Sequence, residues 1–243
     1  MKPFMPAASP LTLAALVAAM ALLAVLPSAR AQSYCASDGQ PQPTQLLERF
    51  INADCADCWS DPATPPAGAG QLALDWVAPG EHGDDAPLSA VARRDATDRL
   101  EALGQRIPEK ALVSRHTVRG LKSTTLRVSH GLPVADYIGA SIELKPVPAT
   151  ARKQRWTAWL ALVETVPAGT EGSPVARNLV RNVLHTIWDG RKPLLKTEQN
   201  RFFEVRSMNI APGTNPGRLG VIGWVESEKG QVLMAAQSHC DTH

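Results

Sequence analysis

Cys55-Ala56-Asp57-Cys58 is the pattern in this chain with the most direct chemical meaning. Two thiols three residues apart close a disulfide at low loop cost and exchange it with other thiols. In that role Cys55 is the exposed attacking thiol and Cys58 resolves the mixed disulfide. The same spacing also serves a structural disulfide in a loop, or half of a metal site needing two more ligands. The neighbouring charges weigh against a reactive thiol. Asp54, Asp57 and Asp61 surround the pair, and no Lys, Arg or His follows within ten residues. Negative neighbours raise a thiol's pKa and reduce its thiolate fraction, so any redox activity here is expected to be slow.

The elements that must position the pair can be read on either side of it. Thr44 to Ile51 reads as a buried strand running straight into the cysteines. Pro62, Pro65, Pro66, Gly68 and Gly70 then allow no long helix. Leu72 to Val77 reads as a second strand. A helix capped by Ser89 is expected to run to about Leu103, followed by Pro108 and a short strand from Ala111 to Val118. From residue 124 alternating apolar segments recur, with turn signals between them. They predict strands near 124–129, 138–146, 156–166, 178–187, 202–210, 219–226 and 231–237. Glu228-Lys229-Gly230 turns the last pair into a hairpin. Trp156, Trp159, Trp188 and Trp224 fall on these strands as packing residues.

This order predicts an α+β protein with two parts. A small thioredoxin-like α/β domain is expected over 44–122, after an entry segment at 32–43, and an antiparallel β-sandwich over 123–243. A strand leading into Cys-x-x-Cys is the thioredoxin arrangement, which places the first sulfur at the sheet's end. Pro108 stands in chain order where such proteins carry a cis-proline facing the disulfide. An ordinary proline ending a helix fits the same position.

The segment Phe50-Ile51-Asn52-Ala53-Asp54-Cys55-Ala56-Asp57-Cys58-Trp59-Ser60-Asp61-Pro62 resembles the Phe-Thr-Ser-Gln-Gly-Cys-Ser-Ser-Cys-Pro-Pro-Ala-Asp motif of the secreted domain-of-unknown-function 1223 family. Asp75-Trp76 resembles part of that family's Val-Asp-Tyr-Trp-Asp segment, and Asn178-Leu179-Val180-Arg181 its Asn-Val-Val-Arg. Gly220 to Ala236 is similar to its closing hairpin. The resemblance implies a thioredoxin-like N-terminal part followed by β structure, and no particular reaction. The Gly and Pro that flank the family's cysteines are replaced here by Asp54 and Trp59.

Residues 1–31 read as a cleavable signal peptide. Lys2 precedes an apolar run from Leu11 to Leu26, Pro27 and Ser28 break the run, and Ala29-Arg30-Ala31 fits a cleavage site. The run falls short of the roughly 20 residues that span a bilayer. Cleavage before Gln32 would leave 212 residues with 23 basic and 23 acidic side chains. A balanced charge gives nucleic-acid binding no electrostatic support. The expected setting is the periplasm or the exterior, with no membrane span, no cofactor, no resident metal, and a thiol or protein partner.

All four cysteines lie beyond the signal segment, so two disulfides are the default in an oxidising compartment. Cys55 and Cys58 are close enough to pair, which leaves Cys35 for Cys240. His239-Cys240-x-x-His243 is the alternative, a ligand-like cluster at the chain's end. His82, in an acidic loop, is a further candidate near the cysteine pair.

Overall fold

The computed structural model describes residues 35–192 and 200–240. The signal segment, its cut before Gln32, and His243 lie outside the described residues. Twelve strands follow one another in the described chain: β1 (Cys35–Ala36), β2 (Gln45–Asn52), β3 (Gln71–Ala78), β4 (Ala111–Thr117), β5 (Thr125–His130), β6 (Tyr137–Lys145), β7 (Arg155–Val166), β8 (Arg177–Asp189), β9 (Phe202–Asn209), β10 (Leu219–Glu226), β11 (Val232–Gln237) and β12 (His239–Cys240).

These strands make two sheets. One has five strands in the order β12-β1-β5-β6-β9, and the other has seven in the order β11-β10-β7-β8-β3-β2-β4. The five-stranded sheet is antiparallel throughout. The seven-stranded sheet is mixed, with β2 parallel to β3 and β3 parallel to β8. β6 shows the pattern of a strand with one wet face, its even-numbered residues from Ile138 to Leu144 being buried. β2 and β3 are buried on both faces along nearly their whole length. Such strands lose alternation and read as continuous apolar runs.

The two sheets stack face to face in a sandwich-like arrangement. Leu126, Val128, Ile142 and Leu144 of one sheet meet Trp156, Leu160, Val221 and Val225 of the other. Gly223 allows the sheets to approach, since a Cβ there would lie 2.5 Å from Val128 Cγ1 and 2.9 Å from Ile142 Cδ1. The opposite face of the larger sheet is covered in part by the helix Arg94–Ala102, which sets Ala96 and Leu100 against Leu46, Leu74 and Trp76.

The thioredoxin-like α/β domain expected over 44–122 is not formed. The helices among the described residues are Ala56–Ser60 and Arg94–Ala102, too few and too short to cover both faces of a separate sheet. β2, β3 and β4 are instead the end of the seven-stranded sheet, and Asp75 of β3 pairs with Leu179 of β8. Strands from both sides of residue 122 therefore share one sheet. Pro62, Pro65 and Pro66 account for the missing crossover helix, because helical backbone stops at Ser60 and Asp61 is extended. Ser89 does not cap the long helix. Ser89–Val91 is a single 3₁₀ turn, and the helix starts after Arg93 without a side-chain cap.

Candidate functional site

The cysteine pair sits at the end of β2. Cys55 N–H donates to the Asn52 carbonyl and Cys58 N–H to the Cys55 carbonyl, closing the turn into the helix Ala56–Ser60. Cys55 and Cys58 are bonded to each other and half-buried. Asn52 ties the turn to the loop before β4. Its Oδ1 accepts from Asp54 N–H, and its Nδ2 donates to the Pro108 carbonyl at 2.9 Å. Pro108 thus belongs to the surroundings of the pair, but not as a cis-proline. The cis bond among the described residues is Lys145–Pro146, and the one before Pro108 is trans.

Asp54 is turned toward the loop after β3, where it accepts from Glu81 N–H and His82 N–H and pairs with His82 Nδ1 at 3.1 Å. Burial of the carboxyl opposes ionisation, but the His82 and Glu81 hydrogen bonds outweigh it and hold the pKa below the usual carboxylate range. His82 lies beside the cysteine turn, engaged by Asp54 and otherwise exposed to solvent.

Behind the turn lies a buried group of charges. Asp75 accepts from Arg49 Nη2 at 2.7 Å, Arg177 Nη1 at 2.8 Å and Asn178 N–H at 3.0 Å. Arg177 also donates to the Trp59 carbonyl at 2.8 Å, and its guanidinium stands 4.6 Å over the Trp59 ring. Trp59 Nε1 donates to the Glu171 carbonyl. The residue after Cys58 is thereby fastened to the body of the sandwich. Arg177 carries no mark in the sequence that separates it from a surface arginine, whereas Arg49 falls inside the strand read as buried. The available signals are charges inside apolar runs, Arg49 in β2 and Asp75 in β3.

A second buried network joins the helix to the sheet. Arg99 donates to both oxygens of Glu48 and both oxygens of Glu226. Trp76, Trp159 and Trp224 point their indole N–H groups at the same carboxylates. Burial alone would raise the Glu48 pKa. The Arg99 charge, with hydrogen bonds from His116 and Arg99, overrides that and holds it at about 2. Each charged group here has its partner, so the network holds the helix in place and offers no free acid or base.

At the other end of the chain, Cys35 and Cys240 are bonded, with Cα atoms 4.2 Å apart. Cys35 in β1 stands opposite Cys240 of β12 on one side and His130 of β5 on the other. Cys35 and His130 are buried, while Cys240 reaches solvent. Burial lowers the His130 pKa, partly offset by a hydrogen bond between Nδ1 and the Gly131 carbonyl. Beside this bridge runs a groove of about 450 Å³, bordered by Ser37, Gln40, Gln42, Thr124, Gln237 and His239.

No family model matches the chain, and no curated protein matches it. Among solved structures it is similar to HBP35 of Porphyromonas gingivalis at 13% identity and a TM-score of 0.49, over 82% of this chain and 76% of that one. It is also similar to a glycosyl hydrolase family 2 member from Bacteroides cellulosilyticus DSM 14838 at 9% identity and a TM-score of 0.28, over 55% of this chain and 17% of that one. Likeness at this level assigns neither an activity nor a ligand.

Proposed function

We propose that this is an exported protein that acts by binding, braced by two structural disulfides, and that Cys55–Cys58 does not turn over in thiol–disulfide exchange. The observation that carries the reading is the state of the Cys55–Cys58 turn. A nucleophilic cysteine is favoured by a cation or a helix N-terminus that stabilises its thiolate. Here the following helix has five residues, Asp57 lies in its first turn, and no basic residue stands in its last. Arg177, which reaches Trp59 next to Cys58, is committed to Asp75, Ser173 and Trp59. The groove beside Cys35–Cys240 is the place for a ligand, and its lining, apolar at Leu72, Leu126 and Met234 with amides, hydroxyls and Asp38 around it, suits an amphipathic one that donates hydrogen bonds.

Export is supported by the signal-like residues 1–31 and by the pairing of all four cysteines, which persists in oxidising compartments. No helix among the described residues is long and apolar enough to cross a membrane. Intact mass of protein recovered from the periplasm or medium is expected to begin at Gln32, and a mass retaining residues 1–31 would overturn the cleavage.

Thiol–disulfide exchange through Cys55 is the other reading, favoured by the half-exposed pair at a strand end. A reductase assay separates the two. Wild-type protein is expected to show no turnover, with a Cys55–Cys58 potential below about −300 mV, the range of structural disulfides. Turnover that Cys55→Ser abolishes would replace the binding reading with the redox one.

A further inference from the structure

Cys35 Sγ, Cys240 Sγ and a ring nitrogen of His130 all lie within 4.8 Å of one another. The three residues come from three adjacent strands, β12, β1 and β5, with Cys35 in the middle. His130 is 4% exposed. Its Nε2 is buried and has no hydrogen-bond partner among the protein atoms. Its Nδ1 lies 2.9 Å from the Gly131 carbonyl. A carbonyl only accepts, so Nδ1 carries the proton and Nε2 keeps its lone pair. Metal-bound histidines are held in this way, with the second ring nitrogen donating to a backbone carbonyl. An unpaired imidazole lone pair in an apolar interior is costly, and the ring that carries it stands beside two sulfurs.

We propose that reduction of the Cys35–Cys240 bond turns this end of the five-stranded sheet into a Cys₂His site for a zinc-type divalent cation. The exposed sulfur, Cys240, is the one an external dithiol reaches. Its thiolate attacks Cys240 Sγ, the Sγ–Sγ bond breaks, and Cys35 leaves as a thiolate. The second thiol of the reductant displaces Cys240, leaving two protein thiols and an oxidised reductant. The cation then takes two thiolates and His130 Nε2 and releases two protons. Zinc–sulfur bonds of about 2.3 Å in tetrahedral geometry need sulfurs a little under 4 Å apart. Side-chain rotation supplies that separation at directly opposed strand positions. Solvent at Cys240 supplies the fourth ligand. The cation would tie together the same strands as the disulfide, so the two braces replace each other as the redox state changes.

The test uses the mature chain carrying Cys55→Ser and Cys58→Ser, so that only one pair of thiols can bind. After anaerobic reduction and removal of the reductant, cobalt(II) is titrated and then displaced with zinc. One equivalent is expected to bind, with thiolate charge-transfer absorption and the visible bands of tetrahedral cobalt. His130→Ala, placed in the same background, is expected to weaken binding at least tenfold and to lose the tetrahedral bands. Its oxidised form serves as the folding control, with the circular dichroism of the parent. Cys240→Ser removes one of the two thiolates and is expected to lower the charge-transfer band by at least half, with the reduced parent's circular dichroism as its folding control. Failure of the reduced parent to bind cobalt, or unchanged binding in either variant, would overturn the site.

Discussion

Glu48 shows how one buried carboxylate sets a pH limit on the whole chain. Its pKa is about 2 when folded, against 4.5 in its absence of interactions. The unfolded chain therefore binds that proton more tightly than the folded one. The stabilisation from Glu48 is complete above about pH 4.5 and is lost as pH falls toward 2, an effect on the order of 3 kcal/mol by linkage. Denaturant titrations across pH 2–6 are expected to show this loss. Glu48→Gln should flatten the acid limb while lowering stability at pH 7, because Arg99 then keeps only Glu226 as its charged partner. Gly223 is a second sensitive position, for a steric reason. Gly223→Ala puts a methyl within 2.5 Å of Val128 Cγ1, and relief requires the sheets to part or Val128 to shift. A loss of about 1–3 kcal/mol is expected from overpacking of this kind, measured by chemical denaturation.

At the scale of elements, much of the β structure is legible in the sequence, and the sheet in which each strand ends up is not. The strands after residue 124 announce themselves through alternation and turn residues. Ser227 to Gln231 is a clear case: Gly230, at φ +71°, closes the turn between β10 and β11. β1 and β12 have two residues each, too few for any period, and they exist as strands because a disulfide and β5 hold them. The thioredoxin-like expectation failed through its missing helices and through its strand partners. β2, the cysteine turn and β3 follow one another as expected, but β3 takes β8 as its neighbour. A pairing that distant in sequence leaves no local trace. The candidate site divides the same way. Cys55, Cys58 and Asp54 can be picked out by spacing, whereas Arg49 gains its partner only once β2 lies beside β3, and Arg177 only once β8 does. Arg177 is accordingly the test of how the cysteine turn is held. Arg177→Met removes one of the two guanidinium partners of Asp75 and the anchor of the Trp59 carbonyl. It is expected to cost about 3 kcal/mol, the low end for breaking a buried pair, since Arg49 remains. Hydrogen exchange over residues 55–61 is expected to rise more than in β6 or β9. Uniform change across the chain would show that the network does not specifically hold the turn.

The whole molecule is closed on itself by one covalent bond. Cys35 and Cys240 are 205 residues apart in sequence, against three for Cys55 and Cys58. A cross-link restricts the unfolded chain more as the loop it closes grows. The chain-entropy account gives about 5 kcal/mol for the long loop and about 2 kcal/mol for the short one. Removing the pairs separately therefore predicts an order. Cys35→Ser with Cys240→Ser is expected to lower the unfolding free energy more than Cys55→Ser with Cys58→Ser, by a margin on the order of 3 kcal/mol. The structure adds a reason for the same order. The long-range bond joins β12 to β1 at one edge of the five-stranded sheet, and two-residue strands have few other bonds to keep them there. The short-range bond lies in a turn that Asn52, Arg177 and Trp59 already hold by hydrogen bonds. Guanidinium unfolding of both double variants, metal-free and at one pH, checks the prediction. The long-loop variant should also show earlier proteolytic clipping near the ends of the described chain. Equal losses, or a larger loss from the Cys55–Cys58 pair, would mean that the turn carries stability its short loop cannot supply through chain entropy.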